Sequence, residues 1–183
     1  MKEEFFQEKC SPIRRRLSAW EIQEARKIFG NRLNYDRVRL HECSIWPNAL
    51  DQIHRKLKRL PPQTAPNAIT IMNSCFFPVR LLQNPVPVWH TDHYKISWLM
   101  HELAHVWQYQ SMGLKYLVDA ILLQFKSGFE AYNFGGENGL RMGSKNGKKL
   151  KEFNLEQQGE ICRSYYNRLA WGDDLSAWIP YIS

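Results

Sequence analysis

Residues 96–110 read Ile96-Ser-Trp-Leu-Met-His-Glu-Leu-Ala-His-Val-Trp-Gln-Tyr-Gln110. The stretch contains no Pro or Gly. Ile96, Leu99, Met100, Leu103, Val106 and Trp107 recur at helical spacing, which predicts a helix over about 93–112 with a wide apolar stripe. Asp92 is its expected N-cap and Gly113 the residue just past its last turn. On such a helix His101 and His105, four apart, lie one turn from each other on one face. Both imidazoles can then meet a single metal ion, and Glu102, beside the first, can take a proton from a water at that metal.

The pattern His-Glu-x-x-His on a helix is the one by which zinc hydrolases bind their metal and place a general base. A catalytic zinc takes three protein ligands and keeps one position open. Val106 to Ser111 contain no third His, so the third ligand is sought downstream. Asn154 to Leu169 read as a closing helix: Asn154 is a good N-cap, Gln157 stands at the capping-box position and Gly172 can terminate it. Glu156 and Glu160 are four apart there and share a face. One can bind the metal while the other accepts the free ring N–H of a ligand His, fixing its tautomer. The residues alone leave the two assignments open.

His101-Glu-Leu-Ala-His-Val-Trp-Gln108, with Phe153-Asn-Leu-Glu-Gln-Gln-Gly-Glu-Ile161 and then Tyr165-Tyr166, resembles the gluzincins. More specifically, it is similar to small zincin-like peptidases encoded near bacterial contractile-injection and Rhs/VgrG-type secretion genes. The resemblance covers about residues 68–170. It implies an α+β, zincin-like fold, mostly helical with a small mixed sheet, an active-site helix and a glutamate helix. It favours Glu156 as the third zinc ligand beside His101 and His105, with Glu160 behind a ligand His. No His follows His105, so the oxyanion donor must be of another type. Tyr132, Tyr165, Tyr166 and Arg163 are candidates, since a phenol or guanidinium can bind a developing oxyanion, and Tyr166 is assigned the catalytic place beside Glu102.

At 183 residues, with 44% hydrophobic and 23% charged residues, the chain has material for one domain with a sizeable core. Its net charge of +7 is spread over Arg14 to Arg16, Arg55 to Arg59 and Lys145 to Lys151, and no nucleic-acid signature accompanies it. Cys10, Cys43, Cys75 and Cys162 are far apart and form no CxxC, so free thiols are expected. The N-terminus lacks an apolar signal region and no apolar run reaches the length of a membrane span. Synthesis in the cytosol is expected, with export by a contact-dependent secretion system implied by the resemblance.

Along the rest of the chain, residues 1–17 read as a flexible arm. Ser18-Ala-Trp-Glu21 is a capping box opening a helix over about 19–29 that stops at Gly30. Val38 to Trp46 and Ala68 to Phe77 are strand candidates. Helices are expected over about 50–60 and 114–126. Residues 127–150 hold six of the ten glycines and read as a long mobile loop. His90, Asp92 and His93, just before the active-site helix, read as a cap and loop or as an extension of the site. The function expected is hydrolysis of peptide (amide) bonds with Zn2+ and Glu102 as general base, on a peptide, protein or peptidoglycan-stem substrate. An immunity or secretion-apparatus protein is a conceivable partner. The alternative is a non-catalytic zincin-like module that binds a protein.

Overall fold

The computed structural model describes residues 10–45, 67–113 and 131–182. The expected helices over 50–60 and 114–126 lie outside the described residues. The described chain is α+β, mostly helical, with one small mixed sheet. The elements are β1 (Ile13–Arg15), α1 (Ala19–Phe29), β2 (Arg39–Glu42), β3 (Ile69–Ile71), β4 (Ser74–Phe76), α2 (Tyr94–Met112), α3 (Gly136–Lys145), α4 (Leu155–Trp171) and α5 (Ile179–Ile182).

The sheet runs β1-β2-β4-β3, antiparallel except for the parallel pair β2–β4. Leu40, Cys75 and Thr70 stand in one cross-strand row and face α2, where the Cys75 thiol lies 3.9 Å from the Glu102 carbonyl. α2 is thus buried between the sheet on one side and α4 on the other. Its apolar stripe enters the core through Ile96, Leu99, Met100, Leu103 and Val106, while Trp107 is only half-buried. His101, Glu102, His105 and Gln108 are buried as well.

Two expected boundaries hold closely. α1 begins at the Ser18–Glu21 capping box and ends at Gly30. α4 begins at the Asn154–Gln157 capping box and ends at Gly172, which adopts a left-handed conformation. Asp92 does not cap α2: a 3-10 turn, Thr91–His93, leads straight into it, and Asp92 instead pairs with Lys95 at 2.9 Å. The expected strand 68–77 is two strands folded into a hairpin at Met72-Asn73. Met72 takes a positive φ of 57°, a conformation its side chain does not advertise.

Three further expectations are corrected. Residues 10–17 are not an arm: β1 is one of the sheet's two edge strands among the described residues, and residues 1–9 lie outside the described residues. Arg15 holds β1 by bridging two fully buried carboxylates, Glu21 at 2.6 Å and Glu42 at 2.6 Å, and removing the guanidinium would leave both without their buried counter-charge. Cys10 and Cys43 form a disulfide beside this network, whereas Cys75 and Cys162 are the free thiols, both buried. The described part of the glycine-rich segment, residues 131–150, is not a loop throughout. It carries α3, whose Leu140 is fully buried. Its glycines serve close packing: a Cβ on Gly139 would fall 2.5 Å from the Phe134 carbonyl oxygen, and one on Gly143 2.7 Å from the Tyr181 hydroxyl.

Candidate metal centre

α2 presents His101 and His105 toward the N-terminal half of α4, which presents Glu156 and Glu160 back. The two helices approach closely because Gly159 lies between those glutamates in the contact. A Cβ there would stand 2.7 Å from His101 Cε1 and 2.9 Å from both ring nitrogens. An interior helical Gly costs about 0.5–1 kcal/mol relative to Ala, and here it makes room for the imidazole.

Three donor atoms converge. His101 Nε2 lies 3.2 Å from Glu156 Oε2 and 3.1 Å from His105 Nε2, which is itself 3.4 Å from Glu156 Oε2. These are the residues whose ligand atoms lie together as a metal site requires. A tetrahedral zinc about 2.0–2.1 Å from each donor calls for donors roughly 3.3–3.4 Å apart, so the triangle has the right size. Glu160 Oε1 is 3.1 Å from His101 Nδ1, off the hydrogen-bonding direction, and also pairs with Arg163 at 3.3 Å. Glu102, buried on α2 next to His101 and close enough to raise both imidazoles by its charge, accepts a 2.7 Å hydrogen bond at Oε2 from the Thr70 hydroxyl on β3.

The charges fit a cation. Burial works against ionisation of Glu156, yet His105 and His101 outweigh it and hold its carboxyl far below the usual range. Burial likewise lowers His101, but the adjoining carboxylates of Glu156 and Glu160 and the charge of Glu102 overcome it, raising the imidazole to about 10. His105 is raised against burial chiefly by Glu156. Three carboxylates around two imidazoles thus draw positive charge, as a proton or as a metal ion. Glu156, in the first turn of α4, is further favoured by the helix N-terminus.

No known family model matches the chain. The chain is similar to the type VI secretion system spike protein VgrG2b of Pseudomonas aeruginosa, 30% identical over 154 residues. That match takes in 83% of this chain but 13% of the relative. Among solved structures it is similar to the effector domain of Pseudomonas aeruginosa VgrG2b, with a TM-score of 0.55 and 24% identity, covering 92% of this chain and 84% of that one. The structural likeness shows a shared fold.

The other expected site residues fall on both sides of the line. Tyr166 is not at the triangle: its hydroxyl donates to Glu24 at 2.8 Å, and its ring stacks on His93 at 6.1 Å. It serves the α1–α4 contact and not the place beside Glu102 expected of it. Tyr132 is the phenol at the site, its ring stacked on His101 at 6.1 Å. Crowding of its hydroxyl by protein, then by Glu156, Glu102 and Glu160, pushes the phenol well above its ordinary pKa. Tyr165 packs half-buried against the core, and Arg163 reaches the site only through Glu160. His90 caps the 3-10 turn by accepting from the Asp92 N–H. His93, the nearest of these three to His101 in the chain, stands about two turns from it, roughly 12 Å along the helix axis, and Asp92 and His90 stand farther off.

Four residues of the site were missed in sequence: Gln108, Gln158, Gly159 and Thr70. A glycine inside a predicted helix, and a glutamine on the face of His105, were signals in plain view. Thr70 offered none, since its place depends on the hairpin.

Proposed function

We propose that the chain is a zinc-dependent hydrolase of amide bonds with a zincin-like fold, acting as an exported bacterial effector. The observation that carries the chemistry is the triangle of His101 Nε2, His105 Nε2 and Glu156 Oε2, sized for a tetrahedral ion, beside a buried Glu102. When bound, zinc supplies Lewis acidity, making a water acidic near neutral pH and polarising a carbonyl. Glu102 takes the proton of the attacking water and returns it to the leaving amine. Thr70 holds one oxygen of that carboxylate, so the second is the one left to take the proton. Tyr132, kept protonated by its neighbours, donates to the oxyanion. β3 is an edge strand, and an extended peptide can add to it beside Thr70.

The effector role rests on the similarity to a type VI secretion spike protein and to the effector domain of that protein. The Cys10–Cys43 disulfide supports a destination outside the reducing cytosol. Among the described residues, no helix is long and apolar enough to cross a membrane. The test is hydrolysis of casein, a peptide library and muropeptides by the zinc-loaded protein and by Glu102→Gln. The variant should keep its zinc and lose turnover about 10²–10⁴-fold. An equally active variant refutes the mechanism.

A further inference from the structure

We infer that Gln108 is a positioning residue. It fixes the tautomer of His105 and locks the turn that carries Glu156, an inference that rests on the proposed metal site. Gln108 is 1% exposed and lies three residues after His105, on the same face of α2. Its side-chain amide spans the gap to α4. Nε2 donates to the backbone carbonyl of Leu155 at 3.0 Å and to Gln158 Oε1 at 3.1 Å. Gln158 Nε2 in turn donates to the carbonyl of Phe153 at 2.8 Å.

Backbone carbonyls only accept, so they set the orientation of both amides. Gln158 must turn its nitrogen to Phe153 and its oxygen to Gln108. Gln108 must turn its nitrogen to Leu155 and its oxygen to the remaining neighbour, His105 Nδ1, 2.8 Å away. An amide oxygen cannot donate, so His105 Nδ1 carries the proton. In the neutral ring the lone pair is therefore on Nε2, the atom that faces His101 and Glu156. In free imidazole side chains the tautomer is open; here a one-way chain of donors, running from His105 to the backbone at the start of α4, decides it.

The same chain ties His105 to the carbonyls of Phe153 and Leu155, which lead into the turn that carries Glu156. Two of the three candidate ligands are thereby held in register by one buried amide. Partners of this kind typically change metal affinity 10–100-fold.

Two measurements test this. In metal-free wild type, at a pH high enough to leave the rings neutral, nitrogen-15 NMR of the imidazoles should find a slowly exchanging proton on His105 Nδ1 and none on its Nε2. A His105 Nδ1 without a proton overturns the inference whether or not the chain binds zinc. Zinc titration against a chromophoric chelator should then show Gln108→Leu binding 10–100-fold more weakly. Gln158→Leu, which leaves Gln108 its bond to Leu155, should lose less. Equal affinity in wild type and Gln108→Leu also overturns it. Should Gln108→Leu fail to fold, the wild-type resonance and Gln158→Leu decide: unchanged zinc affinity in Gln158→Leu contradicts the clamp. A wild type that binds no zinc but shows the protected Nδ1 proton removes the metal reading and leaves the amide chain standing.

Discussion

Gly159→Ala probes the helix contact that makes the centre. The added Cβ would lie 2.7 Å from His101 Cε1, short of comfortable carbon–carbon separation by roughly 0.8 Å. The ring cannot swing aside cheaply, because it stands 3.1–3.2 Å from His105, Glu156 and Glu160. Either α4 backs away or the imidazole leaves the triangle. Overpacking of this kind costs about 1–3 kcal/mol, offset by about 0.5–1 kcal/mol from replacing an interior helical Gly with Ala. The metal-free protein should therefore be destabilised by only about 0–2.5 kcal/mol, while a displacement near 0.8 Å at a ligand should weaken zinc at least tenfold. Circular dichroism melts of metal-free protein and chelator competition on the same samples separate the two effects. A variant that binds zinc as tightly as wild type would refute the close packing of Gly159 on His101.

Two more outcomes follow from the structure. Reduction of Cys10–Cys43, or Cys10→Ser, opens a loop of sequence separation 33; chain-entropy loss puts this at about 3–4 kcal/mol, read as a fall in melting temperature under reducing agent, and an unchanged melt would deny the bond a stabilising role. Zinc uptake at neutral pH should release protons, because His101, raised to about 10, must give one up; affinity should climb as pH rises from 6 toward 10, and calorimetry in buffers of differing ionisation enthalpy would expose a pH-independent uptake. The sign for the metal-free fold is opposite: a raised imidazole contributes stability that is whole below its unfolded value near 6.5 and is lost as pH rises through about 10.

Local signals carried much of the architecture. Capping boxes at Ser18 and Asn154 and stop signals at Gly30 and Gly172 marked α1 and α4, because caps act through residues adjacent in sequence. The i, i+4 spacings of His101/His105 and Glu156/Glu160 named the residues that the fold brings together. What escaped was non-local. Nothing in Arg15 announces Glu42 as its partner, so β1 read as an arm. The Cys10–Cys43 pairing depends on the same sheet edge. The glycines of α3 looked like flexibility, but Gly139 and Gly143 fill places where a carbonyl and a phenol crowd the helix. Tyr166 and Tyr132 are alike in sequence, and only the packing of α1 on α4 sends the first to Glu24 and leaves the second over His101.

The most direct test of the centre is the metal content of purified protein by mass spectrometry, for wild type, His101→Ala and Glu156→Ala side by side. One zinc per wild-type chain, lost or sharply reduced in both variants, is the outcome expected from the triangle of donors. A wild type without tightly held metal, or full zinc in either variant, would contradict it.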